Sequence, residues 1–99
     1  MQELLDQIAN FTPIDDQWLP LDDLLAQLWQ AGLKPEHLPY LFRLFERFPE
    51  SDGAGVLWGI IHGVEALPFD YEQALRASLA RQESEMGRTL MDRLQRSKT

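Results

Sequence analysis

The chain has no cysteine, so it can hold neither a disulfide nor a thiolate metal site. That composition suits a reducing compartment, and the cytoplasm is the expected location. No run approaches the roughly 18 apolar residues that a membrane-spanning helix needs. The start, Met1-Gln2-Glu3-Leu4-Leu5-Asp6, is acidic, whereas a secretory signal needs a basic start and an apolar run. Histidine is scarce: His37 and His62 stand far apart, so the i, i+4 pair of a zinc helix is missing. None of Ser51, Ser78, Ser84 and Ser97 sits in a Gly-x-Ser-x-Gly elbow. There is no glycine-rich phosphate loop and no Asp-x-Asp-x-Asp-Gly calcium loop. The expectation is a protein with no catalytic residues, no metal and no cofactor.

Positive charge is also short. Nine Lys and Arg stand against sixteen Asp and Glu, a net charge of −7. The imbalance is uneven along the chain. Met1 to Leu75 carries thirteen acidic and three basic residues, a net of −10, whereas Arg76 to Thr99 carries three acidic and six basic, a net of +3. The acidic part would be repelled by nucleic acid and by anionic lipid, so neither is an expected partner. It suits a basic protein partner, because opposite fields raise the association rate. Acidity kept for solubility is the competing explanation.

What is present is helical periodicity. At 99 residues, 44% apolar and 25% charged, the chain fits one soluble domain over residues 1–99. Leucines and aromatics recur at i, i+3 and i+4, and no segment alternates as a strand would. Leu4, Leu5 and Ile8 mark a first helix within Met1 to Asn10. Phe11 to Pro20 is broken by two prolines and reads as a connection anchored by Ile14 and Trp18. Leu21, Leu24, Leu25, Leu28 and Trp29 form one face of a second helix that Gly32 ends. Pro35 opens a third, with Leu38, Leu41, Phe42, Phe45 and Phe48 on its face and Pro39 near its start. After the loop Pro49 to Gly53, a fourth runs from Ala54 to Leu67 and stops at Pro68. Asp70 with Gln73 reads as the capping box of a fifth, Tyr71 to Gln82. Ser84 caps a sixth, Glu85 to Arg96, carrying Met86, Leu90, Met91 and Leu94, and Ser97 to Thr99 should fray. The fold class is therefore all-α: about six short helices in antiparallel pairs, stacked in the manner of HEAT repeats or gathered in an irregular bundle.

Three features ask for more than helix formation. Asp15-Asp16 and Asp22-Asp23 are paired carboxylates. The second pair falls in a first helical turn, where the dipole favours acids, but the first has no such reason. Trp18 stands beside it. An exposed aromatic next to carboxylates is the composition of a binding hot spot, and the competing reading makes Trp18 a core anchor of the loop. Gly55, Gly59 and Gly63 form a stripe, each costing about 1 kcal/mol against Ala in a helix interior. Close approach of another helix would offset that cost, as would a partner's groove, and Gly55 could belong to the first turn. His62 and Glu65 lie three apart on the same helix, a spacing that could serve metal or acid–base chemistry. A fold role satisfied by hydrogen bonding is preferred for both, and for Trp58, while His37 is expected to be exposed.

The stretch Gly53-Ala54-Gly55-Val56-Leu57-Trp58-Gly59-Ile60-Ile61-His62-Gly63-Val64-Glu65-Ala66-Leu67-Pro68 resembles the central signature of small helical immunity proteins of bacterial polymorphic toxin systems. Tyr71-Glu72, Leu75, Ser78-Leu79 and Arg81-Gln82-Glu83-Ser84-Glu85 continue the likeness. Ala31 to Pro39 and Leu41 to Glu50 precede it, so the resemblance covers about residues 20 to 95. Gly59 and Glu83 depart from the pattern, where a stiffer residue and a proline are expected. The resemblance implies a HEAT-like, all-helical antidote. Such a protein neutralises, in the cytoplasm, a toxin domain delivered by contact-dependent growth inhibition or by a secretion system. The partner would be the C-terminal domain of a large secreted effector, of a nuclease type with a basic surface that an acidic inhibitor covers. Local density of negative charge beside an aromatic selects Asp15, Asp16, Trp18, Asp22, Asp23, Glu46, Glu50 and Asp52 as the expected contact residues.

Overall fold

The computed structural model describes residues 1–98. Six helices follow in order: α1 Gln2–Ala9, α2 Leu19–Ala31, α3 Leu38–Arg47, α4 Leu57–Glu65, α5 Glu72–Arg81 and α6 Glu85–Ser97. Short 3-10 turns, Pro35–His37 and Gly53–Gly55, precede α3 and α4. No strand occurs among the described residues; the single bridge, Ile14 with Gln17, belongs to a tight turn. The fold is all-α, as the periodicity predicts. The odd helices make one row, α3 lying between α1 and α5. The even helices make the other, α4 lying between α2 and α6, and the links α1–α2 and α5–α6 close the two ends. Between the rows lie Leu5, Leu21, Leu25, Leu28, Phe42, Phe45, Leu57, Ile60, Ile61, Val64, Leu75 and Leu90, all buried.

Helix ends follow local chemistry, with instructive shifts. Helix α2 begins at Leu19, so Pro20 lies inside the first turn, where its missing N–H has no intrahelical partner to lose. Gly32, with φ +91°, donates to the Leu28 carbonyl at 3.1 Å and ends the helix. The third helix starts later than Pro35, because residues 35–37 wind as a 3-10 turn before α3 takes over with Pro39 in its first turn. The fourth also starts later than Ala54. Ala54 and Gly55 take φ of +53° and +91°, which breaks the helix there and makes residues 53–55 a separate turn. The expected capping box of Asp70 and Gln73 is not formed: Tyr71 is the N-cap of α5, and Asp70, one residue earlier, accepts the Glu72 N–H at 2.9 Å. Ser84 accepts the Gly87 N–H at 3.1 Å and caps α6. Helix α6 runs to Ser97 and Lys98 closes it, so those two residues are ordered helix end; the expected fraying at Thr99 lies outside the described residues.

The three glycines of the stripe differ in their surroundings. A Cβ on Gly63 would sit 2.4 Å from Cζ2 of Trp29, so Gly63 is where the α2 indole lies against α4. Gly55 belongs to the left-handed turn and not to the helix. A Cβ on Gly59 would meet nothing within 4 Å.

Candidate functional site

The connection between α1 and α2 narrows to a four-residue turn. Gln17 N–H donates to the Ile14 carbonyl at 3.0 Å, and Asp15 and Asp16 take φ of +51° and +60°. Two consecutive positive φ values define a type I′ turn, which tolerates Asp better than most side chains. Asp16 Oδ1 also accepts the Trp18 indole N–H at 3.3 Å. Asp15 and Asp16 thus have a local structural reason for their place.

Trp18 is buried, 5% exposed. Phe48 meets its ring edge-on at 5.0 Å between centroids, Phe11 lies at 5.8 Å, and Gly53 lies so close that a Cβ there would be 2.9 Å from Cε3. The expectation of an exposed aromatic contact is corrected: Trp18 is the anchor of the loop and holds the turn from beneath. Ile14, expected to share that anchoring, is 78% exposed instead, and Leu19 is 72% exposed. The inward pull of Trp18 and Leu21 leaves both on the outside.

Around the turn the acidic residues divide. Asp15 and Asp16 line a shallow recess of ≈ 440 Å³ together with Leu19, Ala54 and Val56. Leu19, Asp22 and Asp23 stand at i, i+3 and i+4 of α2 and share a face. Asp52 opens the adjoining turn, whose Gly53 packs under Trp18. These five carboxylates therefore sit on neighbouring segments with two exposed aliphatic side chains among them. Glu50 does not join them; it lines a separate groove with Trp58 and the segment leading into α6. Glu46 leaves the expected contact set. Its carboxylate accepts the buried Ser78 hydroxyl at 2.8 Å and the Arg81 guanidinium at 3.0 and 2.9 Å, and its side chain is 13% exposed.

The basic C-terminal part of the chain explains which acids remain free. Arg81 neutralises Glu46, Arg93 holds Glu65 through two bonds, and Arg76 and Lys98 both hold Glu72. Arg88 lies 3.7 Å from Glu83. Arg47 donates instead to the Ala9 and Phe11 carbonyls, tying down the end of α1. Burial pushes the Glu46 carboxyl up, but the bonds from Arg81 and Ser78 and the arginine charges outweigh it and hold it below the usual value of 4.5. The Arg93 hydrogen bonds hold Glu65 down in the same way. Among the described residues, none of Asp15, Asp16, Asp22, Asp23, Glu50 and Asp52 forms an ion pair, and all six are exposed.

His62 is exposed on α4 rather than satisfied inside the fold, and its ring lies 6.0 Å from that of Trp58. His37, expected to be exposed, is half-buried, its Nδ1 accepting the Lys34 N–H at 3.1 Å. No group of three or more His, Asp and Glu side chains close enough to share a metal ion occurs among the described residues. No helix among them is long and apolar enough to cross a membrane. Sequence reasoning missed Ile14 and Leu19 as exposed residues. The signal was available at Leu19, which precedes Pro20 and stands two residues from inward-facing Leu21. No protein-family model, curated protein or solved structure matches the chain.

Proposed function

We propose that the chain is an immunity protein: it binds a cognate toxin domain and blocks its active or substrate-binding surface without chemistry of its own. One observation carries this reading. Five exposed carboxylates, Asp15, Asp16, Asp22, Asp23 and Asp52, lie on the segments around exposed Ile14 and Leu19, and none of the five forms an ion pair among the described residues, whereas Arg76, Arg81, Arg93 and Lys98 are paired with Glu72, Glu46 and Glu65. An unpaired acidic field steers a basic partner, and the aliphatic side chains supply the desolvated contact that a charged rim alone lacks. A nuclease-type toxin presents such a basic surface. The resemblance of residues 53–68 to the immunity signature supports the same reading. A helical adaptor subunit of a larger complex is the alternative. It calls for a broad exposed apolar patch, and the large apolar residues exposed among the described ones are Met1, Ile14 and Leu19.

The test is recovery of the partner from the cells that encode the protein, with identification by mass. A single stoichiometric partner that is the C-terminal fragment of a large secreted protein, toxic when expressed alone and harmless with this chain, is the expected result. Recovery of housekeeping cytoplasmic subunits alone would replace the antidote reading with the adaptor one.

A further inference from the structure

A second concavity lies apart from the acidic turn. It is an open groove of ≈ 880 Å³ where the loop after α3, the start of α4 and the start of α6 converge. Trp58 and Met86 are among its lining residues, and Glu50, Glu83, Glu85 and Arg88 stand around it. Its walls are fixed. Glu85 N–H donates to the Pro49 carbonyl at 2.8 Å, which ties α6 to the loop, and Ser84 holds the first turn of α6 through Gly87. Trp58 is half-buried, and the ring of His62 lies 6.0 Å from its own.

The sign of the occupant follows from the charges. Glu50, Glu83 and Glu85 oppose Arg88 alone, which leaves a net of two negative charges. The α6 N-terminus also opens here and contributes roughly +0.5 of an elementary charge. It offsets only part of the deficit, so the groove attracts cations. An indole wall selects among cations, because its face attracts a guanidinium, which also stacks on it as a planar group. A carboxylate can then accept two guanidinium N–H groups in the same plane.

We propose that this groove receives an arginine side chain from a basic protein segment, stacked on Trp58 and hydrogen-bonded to Glu50 or Glu85. As a second contact for a toxin, the inference rests on the antidote reading; as an arginine site, it stands on the groove alone. Because it is separate from the acidic turn, the two can be tested apart.

The probe is an end-capped Arg-Gly-Arg tripeptide titrated into the isotope-labelled full chain, with the three indole N–H signals followed by NMR. The control replaces arginine with citrulline, which keeps the shape and removes the charge. The expected result is a saturating shift of the Trp58 signal, with Trp18 and Trp29 still, no shift with the citrulline peptide, and about fivefold weaker binding in Trp58→Leu. The Met86 methyl reports occupancy in that variant. Glu50→Gln/Glu85→Gln leaves the indole wall intact and should weaken binding at least as much. A silent Trp58 with shifts at Asp15 and Asp16 would overturn the proposal, as would equal binding of the citrulline peptide. Partner recovery is a separate measurement, so an empty groove would leave the antidote reading to stand or fall by that experiment.

Discussion

Two glycines one turn apart on α4 carry opposite consequences. At Gly63 a methyl group would enter the Trp29 ring, at 2.4 Å from Cζ2. Gly63→Ala should therefore lower stability by about 1–3 kcal/mol, the usual cost of overpacking. At Gly59 the added methyl meets nothing, so Gly59→Ala should raise stability by about 0.5–1 kcal/mol through helix propensity. Urea unfolding of the two variants checks both signs at once. The spacing of the glycines was legible in the sequence, but their different surroundings were not. Spacing places residues on one face without saying what stands opposite. Trp18 shows the same limit: its neighbours in sequence are carboxylates, and its neighbours in space are Phe11, Phe48 and Gly53. Trp18→Ala should cost about 3–5 kcal/mol, a large part of the stability of a domain this size, and should free the turn it supports.

At the scale of elements, the joints between helices are polar as well as apolar. Glu46 on α3 binds Ser78 and Arg81 on α5, and Glu65 on α4 binds Arg93 on α6. Both carboxyls are held below 4.5 in the folded chain. A depressed carboxyl pKa contributes stability that is present above the unfolded value and is lost as pH falls through the folded one. The stability of the protein should thus decline below about pH 4.5, and Glu46→Gln should flatten that decline while lowering stability at neutral pH. Urea midpoints at pH 7 and pH 3 for the two proteins read both effects. Helix existence was legible throughout, because leucine spacing and caps such as Ser84 act locally. The starts of α2, α3 and α4 were displaced by two or three residues, since a proline inside a first turn and a left-handed alanine at position 54 are settled by packing around them. Glu46 could not be told from a free surface acid, because Ser78 and Arg81 reach it from more than thirty residues away.

At the scale of the whole molecule, the charge asymmetry of the sequence becomes an arrangement in space. Cations of α5 and α6 neutralise acids of α3, α4 and α5, and the unpaired acids include Asp15 and Asp16 on the connection before α2, Asp22 and Asp23 in its first turns and Asp52 before α4. The turn at residues 14–17 keeps two left-handed aspartates where glycine would be less strained. Asp15→Gly, which the left-handed position accepts, should leave the fold intact and weaken partner binding, as urea unfolding and partner capture would show. The central claim is that this unpaired acidic surface captures a basic toxin domain. Its most direct test is capture by the wild-type chain and by folded Asp15→Asn/Asp16→Asn/Asp22→Asn/Asp23→Asn, side by side at low and raised salt. The wild type should retain its partner strongly at low salt and lose much of it at raised salt, while the variant binds at least tenfold more weakly and with little salt dependence. Equal capture by the two proteins at both salt concentrations would contradict the claim and return the acidic cluster to the role of a solvated surface.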